Sequence, residues 1–210
     1  MRRIRLHYNA PVVLTFSLLA LALLAVDHWL GGVVIPRFFV TAPPFSIFDP
    51  LDYFRLVSHT LGHAGLGHLF SNLTMILLLG PILEERYGSS NMLKMILLTG
   101  FFVGLLNTLI SRSGLLGASS IVFMFVTLIS IVDLRRGSIP VSFVLVTVVF
   151  VGNEILNAFG PDNVSQLGHI AGAALGALFG FALSDGGDAN WVERAVPTTR
   201  KARNSPTLVF

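Results

Sequence analysis

Six stretches of the chain run apolar for close to the roughly 20 residues that a helix needs to cross a bilayer. They are 11–29, 67–83, 92–110, 119–134, 140–156 and 166–183, with polar and charged residues gathered in the gaps. The pattern predicts an all-α polytopic membrane protein, a bundle of six transmembrane helices forming one domain over residues 1–183. From Ser184 the sequence turns polar, with Asp185, Asp188, Arg194, Arg200, Lys201 and Arg203. A disordered cytoplasmic tail is expected over 184–210. The first stretch has a second reading. Its basic start, apolar centre, and Ala22 and Ala25 are also marks of a secretory signal peptide. A retained first helix is preferred, because 12–29 is long enough to span, and cleavage would leave the sidedness of the rest unchanged.

The connection from Gly31 to Leu61 carries Pro36, Pro43, Pro44 and Pro50, which argue against one through-going helix. Phe38, Phe39, Phe45, Phe48, Tyr53 and Phe54 are interleaved with them. Two readings stand side by side. The segment lies in the membrane interface, where aromatic rings collect, or it is an ordinary extracellular loop with an apolar underside.

Composition sharpens this picture. Of 210 residues 53% are hydrophobic and 12% charged, and the mean hydropathy is +0.77. These values exclude a soluble domain and a basic nucleic-acid face. With no cysteine there is no disulfide, thiol nucleophile or thiolate metal site, and no metal or cofactor is expected. The basic residues report topology. With the N-terminus in the cytoplasm and six spans alternating, eleven of the 14 Lys and Arg fall inside. Only Arg37, Arg55 and Arg112 fall outside, and the bias puts both termini in the cytoplasm.

That orientation brings scattered polar residues to one depth. Spans two, four and six begin at the outer surface. His68 and Asn72 open span two, Ser119 opens span four, and His169 lies near the start of span six. A serine hydroxyl becomes a nucleophile when an adjacent base takes its proton. Ser119 with His169 is the simplest such pair this chain offers. Backbone N–H groups at a helix start favour the oxyanion formed at an attacked carbonyl. Gly114 and Gly117 permit the irregular approach to the serine. His68 and Asn72, four residues apart, share a helix face and can both donate hydrogen bonds to that oxyanion. No acidic residue stands out to orient His169, so a dyad is expected.

Blander readings apply to each residue. Intramembrane serines commonly pack helices. A histidine can simply bond a neighbouring helix. The repeat Gly168, Gly172, Gly176, Gly180 serves close packing first, which would itself carry His169 toward Ser119. Glu84, Glu85 and Arg86 are expected to cap and anchor the inner end of span two. Asn153, Glu154 and Asn157 either line a wet gap or reach the interface. A small transporter would carry polar residues along a whole path, and here they concentrate at the outer end.

Together these motifs resemble the rhomboid family of intramembrane serine proteases. The resemblance covers roughly Phe54 to Leu183, plus a rhomboid-like first helix and long first loop. It rests on His63, His68 and Asn72, on Gly117-Ala118-Ser119, on His169 followed by Gly172 and Gly176, and on Gly80 to Ser89. Phe54-Arg55 stands where many members have Trp-Arg. The resemblance implies Ser119 as nucleophile, His169 as general base then acid, and His68 with Asn72 stabilising the oxyanion. Gly117, Phe123, Gly172, Gly176 and His63 would support them. It implies single-pass transmembrane substrates entering sideways past helix five. The topology puts the site near the outer face, and a bacterial inner membrane is expected from the short termini without an appended soluble domain. Two positions depart from the family pattern. Ser120 replaces the glycine that usually follows the nucleophile, and Phe123 replaces a tyrosine. These substitutions keep open an alternative, a catalytically inactive rhomboid-like protein that binds membrane helices.

Overall fold

The computed structural model describes residues 8–41, 43–111, 113–135 and 164–183, with scattered positions between 141 and 152. Seven helices can be bounded among them: α1 (Pro11–Trp29), α2 (Val34–Phe38), α3 (Pro50–Ser58), α4 (Leu66–Tyr87), α5 (Ser89–Ile110), α6 (Ser119–Arg135) and α7 (Val164–Ala182). Three of them, α1, α4 and α5, are long and apolar enough to cross a membrane, and the apolar parts of α6 and α7, Ser119–Ile131 and Gln166–Ala182, are shorter. The expected fifth span lies largely outside the described residues. Within it, Val141, Val144, Leu145, Val148 and Val149 are helical and exposed. Asn153, Glu154, Asn157, Asp162, the tail 184–210 and the first seven residues also lie outside them.

α6 is the centre of the bundle. Ile121, Val122, Met124, Phe125 and Leu128 have no accessible surface, as expected of a helix apolar on every side. It packs on α4, α5 and, most extensively, α7. The α6–α7 pair is close because glycines face backbone. A Cβ on Gly172 would land on the carbonyl of Ser120, and one on Gly176 on the carbonyl of Met124. Small residues allow such approach where lipid supplies no hydrophobic drive.

The apolar run expected to end at Leu83 continues as helix to Tyr87. Polarity begins at Glu84, but the helix stops only at Gly88, whose φ of +79° breaks it. Glu84 departs from its expected role. It does not cap its own helix. Its carboxylate accepts hydrogen bonds from the backbone N–H groups of Val12 (3.0 Å) and Val13 (2.9 Å) at the start of α1. An acidic group is disfavoured at a helix C-terminus and favoured at an N-terminus. The antiparallel neighbour supplies the N-terminus. Four residues earlier, one turn back on that face, a Cβ on Gly80 would meet Val13 at 2.7 Å, so α1 lies tight on α4.

The first connection holds two short helices. Asp49 accepts from Leu51 N at 2.9 Å and Pro50 occupies the first turn, so α3 has a side-chain cap and a suitable N1 residue. α3 lies on α5, where Gly104 faces the backbone of Leu56 and Gly100 that of Val57. Asp27 caps α2 through the N–H groups of Val34 and Ile35, both at 2.8 Å. Arg55 pairs with Asp52 at 2.8 Å and donates to the carbonyl of Arg37, tying α3 to the end of α2. The rings divide. Phe39 packs edge-on to Phe54 and Phe45 to Tyr53, while Phe48 is 89% exposed.

Candidate active site

The loop from Ser111 to Ala118 delivers Ser119 to the first position of α6. It is held by groups that sequence reasoning passed over. Asn107, buried at the end of α5, donates to Thr41 Oγ1 (2.7 Å) and to the carbonyl of Ser113 (3.1 Å). Thr41 Oγ1 also accepts from Leu115 N at 2.7 Å, and Thr41 N donates to the Leu115 carbonyl at 3.0 Å. Gly117 N then donates to the carbonyl of His59 at 2.9 Å. His59 has no accessible surface, and its Nε2 sits 3.1 Å from the carbonyl of Gly100. The middle and the end of the first connection, with the end of α5, thus fix the backbone just before the serine. Isolated polar residues in loops and at a helix end gave no periodic signal. Only the fold reveals their partners.

Gly117 is required twice. Its φ is +112°, a conformation that costs other residues energy, and a Cβ there would lie 2.6 Å from His68 Cε1 and 2.7 Å from Nε2. Asn72 Nδ2 would be 3.7 Å away. The ring of His68 and the amide of Asn72 therefore lie against the turn from which Ser119 starts. Asn72 is 1% exposed, and its Nδ2 has no acceptor among the described residues. A buried donor without a partner costs about 1–3 kcal/mol, so this one stands ready for an acceptor.

His63 packs edge-on to His68 with centroids 5.0 Å apart, and its Nδ1 sits 3.0 Å from the carbonyl of Leu61. Burial pushes the pKa of His63 down to about 4, against the opposing effect of that carbonyl, and the neighbouring His68 lowers it further. Burial also pushes His59 down to about 4. Both imidazoles are neutral near pH 7, which leaves them as packing and hydrogen-bonding groups rather than cations.

On the opposite wall, the His169 ring stacks on Phe123 with centroids 4.4 Å apart and 14° between planes. Phe123 follows Ser119 by one turn of α6, so His169 lies over the face that carries the serine. Gly172, one turn after His169, lets α7 come close enough for this stack. The two adjacent serines differ in surroundings. Ser119 is partly exposed, whereas Ser120 is 3% exposed with its hydroxyl buried and unpartnered among the described residues. The structure thus gathers His63, His68, Asn72, Gly117, Ser119, Phe123, His169 and Gly172 at one end of the bundle. Gly176 sits one turn further along the α6–α7 contact. Among the described residues no cluster of His, Asp and Glu could hold a metal ion.

Residues 50–186 match the family model of the Rhomboid domain. The chain belongs to the rhomboid family. Among the relatives of this rhomboid is Rhomboid-related protein 1 of Caenorhabditis elegans, 34% identical over 155 residues, which are 67% of this chain and 44% of that protein. Rhomboid protease GlpG of Haemophilus influenzae is 23% identical over 133 residues, covering 62% of this chain and 69% of the relative. The GlpG protein of Yersinia pestis is 25% identical over 175 residues, covering 81% and 62%. The rhomboid chain thus spans less than half of the worm relative and about two thirds of the bacterial ones. Its family and its apolar helices make it an integral membrane protein.

Proposed function

We propose that this rhomboid is an intramembrane serine protease that hydrolyses peptide bonds in or near the helices of single-pass membrane proteins. One arrangement carries the reading: His68 and Asn72 lie against the Gly117 turn while Phe123 holds His169 on the Ser119 face of α6. In the proposed reaction, His169 takes the proton of Ser119 Oγ as the oxygen attacks the scissile carbonyl carbon. The carbonyl oxygen becomes an oxyanion that accepts from Asn72 Nδ2, the His68 ring and N–H groups at the α6 start. His169 returns the proton to the leaving amine, leaving an acyl ester on Ser119. A water, deprotonated by His169, then releases the acid and regenerates the serine.

The domain proposed is a six-helix bundle over 1–183 with both termini cytoplasmic, in a bacterial inner membrane, and the site near the outer face. The charge bias of the sequence supports that orientation. The partial exposure of Ser119 beside a buried Ser120 supports Ser119 as the nucleophile. In liposomes, the wild type should cleave a single-pass substrate, and Ser119→Ala and His169→Ala should each abolish cleavage without lowering the melting temperature. Persistent cleavage by either variant would overturn the dyad. If the wild type neither cuts nor reacts at Ser119 with a fluorophosphonate, the protein is a non-catalytic binder of membrane helices.

A further inference from the structure

A groove of about 650 Å³ opens between α1, α3 and α5, away from the catalytic residues. Its walls include Thr15 and Leu19 of α1, Leu93 and Leu97 of α5, and Phe54 and Val57 of α3. The α1 and α5 residues belong to the halves of those helices nearest Glu84 and Gly88, the end opposite Ser119. α3 closes the other end. Val57 lies against Gly100 of α5, one turn beyond Leu97. From Pro11 to Leu19 the groove runs for about 12 Å at a helical rise of about 1.5 Å per residue. That is close to half of the roughly 30 Å hydrocarbon core.

Beside the open end, next to the lining residue Leu93, α5 carries a lysine. Lys94, which follows Leu93, is exposed and is the sole charged residue of α5. Among the described residues it makes no salt bridge, and the nearby Glu84 is committed to Val12 and Val13. A lysine stem can lie along apolar surface while its ammonium reaches the headgroup layer. An apolar slot one leaflet deep, capped at the far end and positive at the mouth, complements a lipid. We propose that this groove holds an acyl chain of an inner-leaflet phospholipid whose anionic headgroup pairs with Lys94. The leaflet rests on the orientation proposed above, whereas the slot and its lysine do not.

Single-tryptophan proteins test this. With Trp29 and Trp191 replaced by Phe, the reporter is placed in the groove (Leu97→Trp) or on the neighbouring exposed face (Leu98→Trp). The full chain is reconstituted in phosphatidylcholine with a minor fraction of phosphatidylglycerol brominated on its chains. The groove reporter should show an apparent affinity about fivefold higher than the control, the preference that one lysine gives an anionic lipid. Lys94→Gln should remove that difference, and brominated phosphatidylcholine should quench both positions alike. Tyr53→Trp views the groove from α3 and repeats the reading without adding bulk to the α5 wall. Equal quenching at all three positions overturns the proposal. A preference that survives Lys94→Gln overturns the headgroup pairing. Separate labelling of the termini from each side reads the orientation, and its failure alone would move the same groove to the other leaflet.

Discussion

Gly172→Ala should disable this rhomboid and Gly168→Ala should not, although both glycines flank His169 on α7. At position 172 the new methyl would fall on the Ser120 carbonyl oxygen, 2.9 Å from its carbon and 3.0 Å from its Cα. These are backbone atoms in the first turn of α6 and have no rotamer to yield. Restoring carbon–carbon contact to about 3.5 Å or more requires α7 to retreat by a substantial part of an ångström. Such overpacking typically costs about 1–3 kcal/mol, so the protein should still fold. The consequence falls on His169, one turn away, whose stack on Phe123 must loosen. For the general base proposed above, a displacement of about 1 Å can cost roughly 100-fold in rate. At position 168 the nearest atom to the new methyl is Val103 Cγ1 at 3.5 Å, an ordinary contact. Alanine also improves a helix interior by about 1 kcal/mol over glycine. Cleavage of a single-pass substrate in liposomes, with a thermal melt of each variant, separates the cases. Equal activity in the two variants, or greater loss in Gly168→Ala, would refute the argument that α7 proximity sets the position of His169.

Three further outcomes follow from contacts that support the proposed dyad or the bundle around it. Glu84→Ala should lower stability by about 1–3 kcal/mol by stranding the Val12 and Val13 N–H groups, seen as an earlier melt and faster proteolysis near residue 11. Thr41→Val removes the acceptor for Asn107 and Leu115. It should cut cleavage more than it lowers the melting temperature, because it frees the loop leading to Ser119. Stability should fall on acidification. His59 and His63 have folded pKa values of about 4 against an ordinary 6.5, so the unfolded chain takes up protons first. Their contribution is complete above pH 6.5 and is lost as pH drops through 6.5 toward 4, by up to roughly 3 kcal/mol per histidine. Melts across that window check this, and a flat profile would contradict the burial of these rings.

Much of this was legible in the sequence because membrane helices announce themselves by uninterrupted apolar length, and α1, α4 and α5 do so. His68 and Asn72 stand out by their spacing, Gly117 and Ser119 by their place at the mouth of an apolar run, and the sidedness of basic residues sets them at one depth with His169. The gathering of their motifs at one end of the bundle needed the fold. Three kinds of feature were missed. The partners of Thr41, Asn107 and His59 are set by tertiary contact between segments that share no period. Glu84 lies 71 residues from Val13, and no local rule connects them. α3 could have been read. Asp49-Pro50 is a cap followed by a favoured first-turn residue, but the prolines were weighed only against a through-going helix and Asp49 was passed over.

The Glu84 contact also bears on biogenesis. During synthesis α1 leaves the ribosome before α4, so its leading N–H groups precede their acceptor by some seventy residues. Unpaired backbone donors are poorly tolerated in hydrocarbon, so until Glu84 is made those N–H groups need water or another acceptor. Arrival of Glu84 then locks the first span in register with Gly80 against Val13. A chain ending before residue 84 would hold its first span without that lock.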